Sequence, residues 1–156
     1  MAFSTRHQVP GSMTSSTKVL VKEPVVSGTA KSVFIDQPAN SVIDSVFVHV
    51  VSDIVIDAVE DVSFQLGVDG TLGKFVSSFD ILDGSDGTNA KTVKGGTVYK
   101  ASMVSGSDYS AGSNSSDEVV LVTDQRELIA TITSGAANAV DGSHGDIEIH
   151  VVFRHF

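Results

Sequence analysis

The side chains of this sequence that could do chemistry are few and poorly grouped. There is no cysteine, and no G-x-S-x-G turn that would expose a serine nucleophile. Nucleophilic catalysis needs such a group held beside a base, whereas Ser105, Ser107 and Ser110 lie in a Gly/Ser-rich stretch. Phosphate-cradling glycine motifs are also absent. Zinc favours Cys/His ligands at tight spacing. His150 and His155 are five apart, which puts them on opposite faces of a continuous strand, and His144, Asp146 and His150 would converge only if the chain folded back at Gly142–Gly145.

Calcium is the better-motivated metal. Asp80, Asp83, Asp86 and Asn89 recur every third residue in a glycine-containing stretch, and calcium takes six to eight oxygens, often from loops. The spacing departs from the D-x-[DN]-x-[DN]-G loop, and Asp-Gly is ordinary turn chemistry. An acidic loop without metal is the expectation, and no cofactor is implied. Glu60-Asp61 and Asp117-Glu118 are adjacent in sequence and would diverge on a strand, unlike the paired carboxylates of glycosidases. His49, alone in an apolar run, reads as a core or edge residue rather than a ligand. The residues thus indicate a protein without a catalytic centre.

The elements that would carry these side chains have a period of two. Ile147, Ile149, Val151 and Phe153 alternate with Asp146, Glu148, His150 and Arg154, the pattern of a strand with one buried face. Val152 is the one apolar residue of the outer row and suits a contact there. Val62, Phe64, Leu66 and Val68 alternate with Ser63 and Gln65. Further strands are expected over 18–22, 32–36, 44–52, 97–103, 118–123 and 127–133. The run 44–52 is apolar on both faces around His49 and reads as a central, doubly covered strand. A short turn is expected over 55–61. Turns fall at Gln37-Pro38-Ala39-Asn40 and Asp69-Gly70, with longer loops at 83–89 and 105–117. No window sustains helical periodicity.

Roughly eight or nine strands without helices to cover a parallel sheet predict two packed antiparallel sheets. The expected fold is an all-β antiparallel sandwich, jelly-roll-like, over 32–156. Residues 1–31 are expected to form an N-terminal arm or an outlying strand.

Charge narrows the partners. The net charge is −9. Residues 1–31 carry Arg6, Lys18, Lys22 and Lys31 against Glu23 alone, while 32–156 carry six Lys/Arg against eighteen Asp/Glu. An acidic body repels phosphate backbones, which argues against nucleic acid. Asp44, His49, Asp53 and Asp57 interrupt the most apolar stretch, so no membrane span is expected. The start has no apolar segment of the secretory type. The basic start could dock on an acidic partner.

The order of these segments resembles a module of tailed-bacteriophage structural proteins, seen in capsid decoration (cement) proteins and head fibres. The resemblance covers 42–153. It rests on the Val-rich run 43–51, the run 64–70 ending in Gly70, and the Gly-led run Gly95-Gly96-Thr97-Val98-Tyr99. The run 128–135, the turn at Gly142 and the final run 147–153 complete it. The stretch 105–117 and the basic start depart from the shortest members. The module has no defining catalytic or ligand residues. The resemblance implies a jelly roll, often a homotrimer, on the capsid surface of the virion, made in the host cytoplasm and bridging major capsid proteins. Arg6, Lys18, Lys22 and Lys31 would then be capsid-contact residues. The alternative is a fibre or knob module for host recognition, with the loops at 80–89 and 105–117 as its receptor surface.

Overall fold

The computed structural model describes residues 13–26, 28–56, 61–82, 91–104, 122–134 and 145–156. Ten strands run through them in order: β1 (Thr14–Lys22), β2 (Ala30–Gln37), β3 (Ser41–Ser52), β4 (Ile54–Ile56) and β5 (Val62–Val68). Then come β6 (Thr71–Leu82), β7 (Lys91–Val93), β8 (Val98–Lys100), β9 (Arg126–Thr133) and β10 (Asp146–His155). No helix occurs among the described residues.

The strands form two four-stranded antiparallel sheets, ordered β1-β10-β3-β8 and β2-β9-β5-β6, with β4 and β7 as a separate ribbon. Setting that ribbon aside, first pairs with last (β1–β10), second with second-last (β2–β9), then β3–β8 and β5–β6. A long hairpin wrapped on itself in this way is the strand order of a jelly roll. The fold is the all-β antiparallel sandwich expected from the period-two pattern.

Alternation explains the core. Ile147, Ile149, Val151 and Phe153 of β10 and Val46, Val48 and Val50 of β3 point inward from the first sheet. Leu128, Ala130 and Ile132 of β9 and Phe64 and Leu66 of β5 meet them from the second. Each such side chain contributes roughly 1.5–3 kcal/mol by leaving water. That supply of apolar surface lets the sandwich close without disulfides.

Two features depart from expectation. Strands β4, β6 and β7 lie outside the expected strand segments, β4 standing where a turn is expected and β6 because its apolar residues do not alternate. Phe64, Leu66 and Val68 of β5 stand opposite Phe79, Val76 and Thr71 of β6, so successive steps of two residues on β5 face steps of three and five on β6. These irregularities break the period, and the adjacent Phe75 and Val76 are buried together where they meet. The second departure is β3. It is central in its sheet, but only one face is covered: Phe47 and His49 point outward and stay half-exposed.

Of the remaining expected segments, 97–103 shortens to β8, and Ala101 N–H still donates to the Val46 carbonyl at 2.9 Å. Within 55–61, Val55 and Ile56 belong to β4, and residues 57–60 lie outside the described residues. Of 118–123, only Val122 and Thr123 are described, Val122 bridging to Ser41. Of the expected arm, residues 14–22 are β1, an edge strand paired along its whole length with β10.

The turn between β2 and β3 shows how a loop is pinned. Asn40 adopts a left-handed φ of 55°, which asparagine tolerates better than most residues. Buried Gln37 donates to the Ser41 carbonyl at 3.2 Å and accepts from Arg126 Nε at 2.8 Å. Ser41 Oγ donates to the Pro38 carbonyl at 2.6 Å.

Candidate functional site

Polar side chains of different strands converge on the outer face of the β1-β10-β3-β8 sheet. The register sets two rows across it. Leu20, Glu148, His49 and Val98 stand opposite one another, as do Lys18, His150, Phe47 and Lys100. Between the rows lies a groove of about 350 Å³ lined by Lys18, Phe47, His49, Val98, Glu148 and His150. Its floor is largely apolar: the Phe47 and His150 rings lie 6.0 Å apart, tilted by 40°.

Charge sits at the rim. Glu148 Oε1 is 3.7 Å from Lys18 Nζ and 3.8 Å from His49 Nδ1. His150 Nε2 is buried with no hydrogen-bond partner among the described residues. Leu20 and Val98 flank the groove and are 47% and 56% exposed, so an apolar surface stays open to a partner. An apolar centre with a charged rim is the anatomy of a contact surface. His49, read from sequence as a core or edge residue, lies instead on this outer face.

The residues singled out from sequence are distributed differently. Lys18 and Lys22 share the outer side of β1, four residues and so roughly 13 Å apart. Lys31, on β2, is engaged internally: its ammonium donates to the carbonyls of Lys22 and Glu23 at 3.1 and 2.5 Å, closing the β1–β2 turn where Glu23 has a φ of 46°. Arg6 lies outside the described residues. Asp80 is exposed on β6, and Asp83, Asp86 and Asn89 lie outside the described residues. Among the described residues no three His, Asp or Glu are grouped to hold a metal ion. No described helix is long and apolar enough to cross a membrane.

One carboxylate is tuned by its surroundings. Lys94 Nζ donates to Asp53 Oδ2 at 2.8 Å, and Gly95 N–H to Oδ1 at 2.7 Å. The lysine bond first, and the amide second, hold the Asp53 carboxyl below the usual carboxylate range. A lowered folded value means stabilisation that is complete above the unfolded range near ~3.9 and lost as pH falls through the folded value. Carboxyl titration by NMR is expected to show Asp53 titrating low, and rising towards the ordinary range in Lys94→Ala. An unchanged titration in that variant contradicts the assignment. Tyr99, whose hydroxyl donates to the Ile81 carbonyl at 3.0 Å, is raised by burial.

Chains of two solved phage capsids share this fold. One is in the cyanophage Pam1 capsid asymmetric unit, with a TM-score of 0.52, 14% identity, and cover of 96% of this chain and 89% of that one. The other is in the capsid of Ralstonia phage GP4, with a TM-score of 0.53, 10% identity, and cover of 96% and 88%. No protein-family model matches the chain, and no curated protein matches it. At these identities the likeness is one of fold. Both neighbours are chains of phage capsid structures.

Proposed function

We propose that this chain is a capsid decoration protein, a non-enzymatic component of the phage virion that binds the head surface and ties neighbouring major capsid proteins together. The observation that carries the reading is the near end-to-end match, in both directions, with chains of phage capsids. A match of that extent takes in the whole module rather than a shared hairpin. An outer sheet face with an apolar groove and charged rim supports a protein whose work is contact.

The mechanism is mechanical. A protein seated across a subunit junction buries surface on both sides, and separating the subunits must first expose it. Such stabilisation follows mass action and lasts only while copies stay bound. Stable contacts of this kind bury roughly 1,200–2,000 Å² in total, a large demand on a small sandwich, and self-association as a homotrimer multiplies the area offered. Lys22 and the basic start, including Arg6, face the acidic shell surface in this reading, an attraction that salt weakens.

Co-sedimentation of purified protein with heads lacking it tests the proposal. Saturable binding at many copies per head is expected. Deleting residues 1–12 together with Lys22→Glu is expected to lower head affinity about tenfold, a loss of ~1.4 kcal/mol. Binding confined to tails or fibres would overturn the decoration role in favour of host recognition. Full affinity in the variant would overturn the basic contact alone.

A further inference from the structure

We propose that copies of this chain join knob into groove, Phe34 of one copy entering the Phe47–Val98 groove of the next. The knob lies on the outer face of the other sheet. Phe34 is 59% exposed on β2, opposite half-buried Ile129 of β9. Two residues further along the same face, Asp36 stands directly opposite Glu127. Both are exposed, and neither side chain is ion-paired among the described residues. Like charges directly opposite on paired strands, about 5 Å apart, are unfavourable. An arriving cation relieves them.

The groove supplies what this knob lacks. It holds about 350 Å³ over an apolar floor, and an aromatic side chain has roughly 150–250 Å² to bury. Lys18 stands at one end of its Phe47 row and Lys100 at the other, some 14 Å apart across four strands. Lys100 is exposed, with no ion pair among the described residues. Phe34 seated between them carries Asp36 and Glu127 to a lysine. Lys18 is shared with Glu148, and Arg154 is paired with Asp44, so Lys100 is the cation that most directly meets the arriving acidic pair.

Knob and groove lie on opposite faces of one sandwich. The contact is therefore heterologous, and copies joined this way close into a ring or run on as a filament. Faces set back to back favour a filament or a wide ring over a three-membered one, so this contact is additional to those of a homotrimer. The inference rests on the self-association in the proposed function and adds a surface to it, whereas head binding is a separate property.

Sedimentation velocity on the full chain tests it with Phe34→Asp, Val98→Asp and their equimolar mixture. Both positions are exposed, and unchanged melting curves verify the fold. Wild type is expected to assemble beyond the homotrimer, and each variant alone to stop at it. The mixture still pairs intact knobs with intact grooves, so it is expected to form assemblies larger than either variant alone. Variants that assemble like wild type, or a mixture no larger than its components, overturn the knob and groove while leaving self-association standing. A wild type that is monomeric throughout overturns both, with head binding by co-sedimentation still decided on its own.

Discussion

Gly67→Ala is expected to be among the most damaging single-methyl changes in the molecule. A Cβ at Gly67 would lie 2.0 Å from the Thr71 carbonyl oxygen and 2.4 Å from the Leu72 carbonyl carbon. These are backbone atoms of the returning strand, held by the β5–β6 ladder and by the Asp69-Gly70 turn, where Gly70 has a φ of 78°. No rotamer change can make room, so the hairpin must open, drawing Phe75 and Val76 out of the core. Overpacking costs typically 1–3 kcal/mol and occasionally more. A backbone collision belongs at or above the top of that range. At about 2–4 °C per kcal/mol for a chain of this size, a melting temperature lower by roughly 10 °C is expected. Gly73→Ala is the control, since its nearest neighbour would be the Gln65 side chain at 3.6 Å, an ordinary contact. Equal melting temperatures for the two variants would contradict the argument.

Phe64→Ala is expected to cost about 3–5 kcal/mol. Phe64 is wholly buried in the second sheet's inner face and meets the Phe79 ring edge-on at 5.8 Å. Its removal leaves a cavity walled by strands that cannot close on it. Against a typical total of about 5–15 kcal/mol, this is enough to populate the unfolded state measurably, and chemical denaturation reads it as a lower midpoint. Phe34→Ala removes the same ring from an exposed position and is expected to change monomer stability by less than about 0.5 kcal/mol, while abolishing assembly beyond the homotrimer. If both substitutions destabilised alike, the assignment of inside and outside on β2 and β5 would be wrong.

The sandwich was legible wherever one residue's burial predicted the next but one's. On β10 and β5 the inner rows are those that alternation marks. Strand β6 escaped because its bulge places Phe75 and Val76 side by side in the core, and a period-two reading discards such a pair. The apolar run of β3 suggested two covered faces, yet Phe47 and His49 line a surface groove. Composition cannot distinguish a covered face from one kept apolar for a partner. The groove itself was beyond reach, because Lys18, Phe47, Val98 and Glu148 come from four strands whose register is set by tertiary pairing. Two signs were present all the same. Val152 stood out on the charged row of β10, and Phe34 stood beside Asp36 on what alternation makes the wet row of β2.

Cryo-electron microscopy of the virion decides whether this chain sits on the phage head. Sandwich-shaped density repeated over the head surface, each copy lying across a junction of capsid subunits, is the result expected. Density for this chain only on the tail or fibres would contradict it.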